Sequence, residues 1–170
     1  MFSLLLQFFS GPYAPWFSAA VYLILLGVAL WDARTGVVPN IPLIFGAVVM
    51  TVARFMGEGW QKALIFTLEG LGAWLLIWLF NEIWYRLLKK DALGMGDAKW
   101  TGLAVLSFGI VPALFAWFAG AWIAILWIGG CWLAGKRIRK VYYAPFLFCG
   151  LTIGLLIARG LVKLPYPFTF

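Results

Sequence analysis

The sequence predicts an all-α, polytopic membrane protein: a single membrane-embedded domain over residues 1–170, folded as a six-transmembrane-helix bundle. Three observations predict it. Hydrophobic residues make up 65% of the chain and charged residues only 11%, whereas soluble domains are about half apolar and about a quarter charged. A soluble fold of this size has too little interior to hide that surplus, so lipid must cover it. The apolar residues also gather in long runs, and Lys and Arg fall between the runs, where they set membrane orientation.

The first span lies near residues 17–34 and ends at Asp32 and Arg34. The second, near 40–56, follows Pro39-Asn40, and proline is tolerated in a first helical turn. The third lies near 62–85. An apolar stretch of 37 residues then runs from Ala98 to Ala134, which as one helix would be roughly 55 Å long, far more than a bilayer requires. Gly109-Ile110-Val111-Pro112 breaks it, predicting a short helix near 98–108 and a longer one near 112–135. The last span lies near 143–160. Charge tests the division independently: six spans put 9 basic residues on one face and 4 on the other, whereas five spans give 7 against 6. The six-span arrangement therefore places the 33–40, 85–97 and 135–142 loops in the cytoplasm and the N-terminus outside. The opening stretch, MFSLLLQFFSGPYAPW, is apolar with no basic residue before Arg34. It is expected to be retained as a membrane-surface segment broken at Gly11-Pro12.

Composition also excludes functions. The net charge is +7, but no basic patch interleaved with aromatics exists to grip nucleic acid. The chain has no His and only Cys131 and Cys149, so a zinc, haem or iron–sulfur site lacks ligands. No metal and no cofactor are expected, and the two cysteines read as small apolar packing residues. Gly150 and Gly154 have the spacing of a close helix–helix contact, read here as packing within the bundle.

Chemistry must then come from six acids. Glu58 sits in a polar turn, Asp91 beside two lysines and Glu82 near a helix end, so all three read as solvated. Glu69 lies inside the third span and is expected to face the bundle interior, as a structural residue before a functional one. Asp32 and Asp97 differ. Asp32 closes the first span within WDARTGVVPN, and Asp97 opens the fourth within ALGMGDAKW, so the six-span topology puts both at one membrane face. Two carboxylates facing each other share a proton, because close like charges do not both ionise. The ionised member can deprotonate a water while the protonated one donates to a carbonyl oxygen. Asp97 stands at a helix N-terminus and Asp32 at a C-terminus, so the dipoles make Asp97 the expected anion. Gly94 and Gly96 allow a tight turn and a close approach of another chain. An ordinary loop with Asp97 as helix N-cap is the plainer reading of that segment. Lys99 either steadies the charge of the acids or reaches to the interface.

On these residues the sequence resembles the type IV prepilin peptidases, membrane aspartyl proteases of the Gly-x-Gly-Asp class. Asp32 followed by Val38-Pro39-Asn40 is similar to the family's Asp and its Ile-Pro-Asn-like turn. Gly94-Met95-Gly96-Asp97-Ala98-Lys99 matches the Gly-x-Gly-Asp-x-Lys core. Tyr143-Ala144-Pro145-Phe146-Leu147 is close to the Pro-Phe-Leu start of the last helix. The resemblance implies a protease in the inner membrane of a prokaryote, cutting leader peptides from pilin-like precursors on the cytoplasmic side. It implies Asp32 and Asp97 as the catalytic pair, with Pro39, Asn40, Gly94, Gly96 and Lys99 in support. It is closest to the short form, which lacks the cysteine-paired region and the methyltransferase activity of longer members. Two rivals stand beside it. Presenilin-like intramembrane proteases share Gly-x-Gly-Asp but pair it with Tyr-Asp, where this chain has Trp31-Asp32. A non-enzymatic multi-pass subunit or small transporter is the other, although no paired broken helices occur in two halves.

Overall fold

A computed structural model describes residues 15–89, 94–136 and 141–160. Among them every regular element is an α-helix: α1 Pro15–Thr35, α2 Asn40–Glu58, α3 Trp60–Leu88, α4 Met95–Phe108, α5 Ile110–Leu133 and α6 Ala144–Ala158. Four of these, α1, α2, α3 and α5, are long and apolar enough to cross a membrane. The remaining two are shorter: α4 has 14 residues and α6 has 15, roughly 21–23 Å at 1.5 Å per residue. Large apolar side chains face outward along the bundle, among them Leu30, Ile44, Leu76, Phe118 and Leu126. Such a surface is stable only against lipid, and the chain is a membrane protein. The expected surface segment before Pro15 lies outside the described residues, as do Asp91 and part of the 135–142 loop.

Helix breaks follow from glycine. Gly36, Gly59 and Gly109 have φ of +69°, +86° and +86°, a region that side chains with a Cβ avoid. The break in the long apolar stretch therefore falls on Gly109 itself. Pro112, expected to mark the start of the next helix, instead sits inside the first turn of α5, where its missing N–H costs nothing.

The short helix α4 is the centre of the molecule. It packs against all five others, and from Trp100 to Ser107 every residue is buried. Trp100, fully enclosed, donates its indole N–H to Leu25 O of α1 at 3.3 Å. Gly70 on α3 allows a close approach to α4: a Cβ there would stand 2.8 Å from Gly102 O. On the other side α5 and α6 meet through Gly120, Gly150 and Gly154, where added Cβ atoms would press on the facing backbone. The Gly150/Gly154 pair thus packs within the bundle, as its spacing predicts. Cys149, by contrast, is exposed, and it and Cys131 are free thiols.

The helices alternate in direction, so the connections gather at two ends. One end holds the α1–α2 turn, the start of α4 and the start of α6. At the other end α2 finishes beside the end of α4. There Arg54, 2% exposed, donates from Nε to Leu106 O at 2.9 Å and from Nη2 to Ser107 O at 3.1 Å. These are terminal carbonyls of α4, left without intrahelical partners and carrying the negative end of its dipole. The guanidinium also lies 3.5 Å over the Phe66 ring and pairs with Glu58 at 3.3 Å. Glu58 is thus no solvated turn residue: its side chain is 4% exposed. Glu82 pairs with Arg86 one turn on, at the bundle surface.

Candidate functional site

Asp32 and Asp97 come together at the end opposite Arg54. Asp32 occupies the last turn of α1, and its carbonyl accepts the Gly36 N–H at 2.8 Å. The left-handed Gly36 ends the helix, tucked against the ring of Tyr142. The chain then runs through Val37-Val38 to Pro39, whose extended geometry (φ −72°, ψ 133°) leads into α2 at Asn40. Asp97 is not the N-cap of its helix. That place belongs to Gly94, whose carbonyl accepts the Asp97 N–H at 3.0 Å and the Ala98 N–H at 3.4 Å. Asp97 is the third helical residue and its carboxylate takes the Gly94 N–H in return, half of a capping box.

Each glycine of the motif has a steric reason. A Cβ on Gly94 would lie 3.1 Å from Asp97 Oδ2. One on Gly96 would lie 2.5 Å from Val38 Cβ. The α1–α2 turn therefore lies directly on the first turn of α4, which is how residues far apart along the chain bring their acids together. Both acids are enclosed, Asp32 being 6% and Asp97 8% exposed.

The two acids act on each other and on nearby helix ends. Burial first and then the negative charge of Asp32 push Asp97 up to about 7, against the opposing Gly94 hydrogen bond. The carboxylate of Asp32 accepts the backbone N–H of Ala144, the first residue of α6, so it lies at the positive end of another helix. Asp32 thus meets the N-terminus of α6 as well as the C-terminus of its own helix, and Asp97 meets the charge of Asp32 as well as the dipole of α4. The helix that acts on Asp32 is α6, and nothing in its own segment announces that.

Behind Asp97 lies a hydrogen-bonded chain. Thr101 donates its hydroxyl to Asp97 O at 2.7 Å, Trp117 Nε1 donates to Thr101 Oγ1 at 3.0 Å, and Tyr143 Oη donates to Trp117 O at 3.1 Å. The rings of Trp117 and Tyr143 are 5.4 Å apart. Burial, and then the charge of Asp97, hold the Tyr143 hydroxyl above its ordinary range, so it stays a donor. Tyr143, Thr101 and Trp117 are the site residues that sequence reasoning missed, although Tyr143 opens the Tyr-Ala-Pro segment.

Lys99 does not touch the acids. Its Nζ donates to Asn40 Oδ1 at 2.9 Å, tying the start of α2 to α4. Together they edge a cavity of about 430 Å³ between α2, α3 and α4. Glu69 is exposed, facing a separate groove between α3 and α5 rather than the closed interior. Comparison with protein-family models, curated proteins and solved structures finds no match.

Proposed function

We propose that this protein is a membrane aspartyl endopeptidase that removes leader peptides from type IV pilin-like precursors at the cytoplasmic face. The observation that carries the reading is the meeting of Asp32 and Asp97 beneath the Gly94–Gly96 turn; we read Asp97 as holding the proton and Asp32 the charge. In this reading α4 and α6 complete a six-span topology, with the dyad end of the bundle facing the basic, cytoplasmic side.

The chemistry follows from the proton assignment. Asp32, anionic, removes a proton from a water held between the acids, and the water oxygen attacks the scissile carbonyl carbon. Asp97 gives its proton to the carbonyl oxygen, so a neutral gem-diol forms. Collapse returns a proton from the gem-diol to Asp97, while Asp32, now protonated, delivers its proton to the departing amine. Both acids regain their starting states, and no covalent intermediate forms. Lys99 and Asn40 act by fixing α2 against α4, and Gly96 by admitting the Val38 turn.

Co-expression with a pilin-like precursor tests the reading. The wild type should process the precursor, and Asp32→Asn and Asp97→Asn should each leave it uncut. Processing by both variants would end the proposal, and a cut in the middle of the substrate's membrane helix would redirect it to presenilin-like proteolysis.

A further inference from the structure

A groove of about 540 Å³ runs between α3 and α5 with α4 as its floor. Both walls pack on α4 but not closely on each other, so the groove opens toward the bilayer. The walls are apolar, with Leu76 and Phe80 on α3 and Ala113 and Leu114 on α5. Glu69 is the one ionisable side chain among the lining residues, and among the described residues it has no ion pair or hydrogen bond. A carboxyl at membrane depth is costly and marks a functional position.

Helical phase connects this groove to the dyad. Residues turn about 100° each around a helix, so Thr101 and Val105, which floor the groove, lie about 40° and 80° from Asp97. The floor of the α2–α3 cavity, with Lys99, Gly102, Leu103 and Leu106, lies about 120–180° away from Asp97 by the same rule. At its dyad end the groove is lined by Thr101 and Trp117; Thr101 binds the backbone carbonyl of Asp97, and Trp117 binds Thr101.

We infer that this α3–α5 groove seats the apolar membrane helix of a peptide substrate, with Glu69 selecting a hydrogen-bond donor on that helix. The inference rests on the endopeptidase reading and adds the seat and one specificity position. Depth sets where the donor belongs. Gly70, next to Glu69, meets α4 between Gly102 and Leu106, about 8–14 Å below Asp97 at 1.5 Å per residue. A substrate helix rising to the dyad therefore presents its donor about five to nine residues after the scissile bond.

The test uses the full chain in lipid nanodiscs and synthetic peptides with a basic leader, a cleavage-site Gly and a Leu/Ala helix. The helix carries Asn seven residues after the Gly, Leu at that place, or Asn fourteen residues after it. The first peptide should show a KM roughly three- to tenfold below the other two, the range of interhelical hydrogen bonds in membranes. Glu69→Leu should erase that preference, and Glu69→Gln, still a hydrogen-bonding side chain, should keep most of it. A photoreactive residue at the seventh position, used with the Asp97→Asn variant so that binding is read without cleavage, should label residues 72–80 and 110–117. Labelling of α2 with normal cleavage, or a preference unchanged in Glu69→Leu, overturns the seat and leaves the endopeptidase reading intact. Groove labelling without cleavage by the wild type supports the seat and removes that reading.

Discussion

Replacing Asp97 by Asn should make the protein more stable at alkaline pH, by an amount the structure fixes. Enclosure and the neighbouring Asp32 raise Asp97 from an ordinary 3.8 to about 7. The folded state therefore binds a proton that the unfolded chain releases between those values. Stability falls wherever the folded state binds more protons than the unfolded one as pH rises. The full loss, from below 3.8 to above 7, is roughly 4 kcal/mol at about 1.4 kcal/mol per pH unit. Between pH 5 and pH 8.5 some two units of that range remain, roughly 2.7 kcal/mol, or about 5–10 °C in melting temperature for a chain of this size. Asn keeps the shape, carries no charge and has no such slope. Thermal unfolding of the wild type and Asp97→Asn in one detergent, at pH 5 and pH 8.5, measures the difference. The two proteins should lie closer at pH 5 and separate further at pH 8.5 with the variant higher, the gap widening by roughly 2.7 kcal/mol. Parallel profiles would refute the proton assignment and the enclosure that produces it.

Three further outcomes follow from the structure. Precursor cleavage should decline as pH rises through about 7, because Asp97 loses the proton it donates; a pH–rate profile still rising at pH 8 would contradict this. Gly96→Ala should drive the α1–α2 turn off α4, since its Cβ meets Val38 at 2.5 Å. It should cost about 1–3 kcal/mol and most of the cleavage rate, read by thermal unfolding and precursor processing. Arg54→Met should cost about 3–5 kcal/mol by leaving Glu58 enclosed and unpaired, and Arg54→Met with Glu58→Met should recover much of it, a comparison made by denaturant titration.

Which parts of this were legible in the sequence depended on where the deciding partner lay. That Asp32 and Asp97 lie at one end of the bundle was foreshadowed by motifs that end and begin helices, whereas the hold of Lys99 on Asn40 was not. The break at Gly109 was placed within a few residues, because proline and glycine act locally. Three signals lay elsewhere. Asp32 meets the backbone N–H of Ala144, which reaches it only through the packing of α6 on α1. Glu58 read as solvated although Arg54 stands one turn before it; only the carbonyls of α4 explain why that pair is drawn inside. Glu69 faces a groove because α3 and α5 stand apart, and with apolar residues on every side of α3 no periodicity reveals which face opens.

Arg54 also bears on the order in which the chain is made. Its carbonyl partners, Leu106 and Ser107, are synthesised 52 and 53 residues after it, once the whole of α3 has been made. Until α4 arrives, the Arg54 cation lacks the two carbonyls that it later holds, and unsatisfied polar groups are poorly tolerated in hydrocarbon. Early insertion of α2 is thus provisional. The arrival of α4 locks it, and the same event brings the second acid to the first, so biogenesis completes the bundle and its dyad in one step.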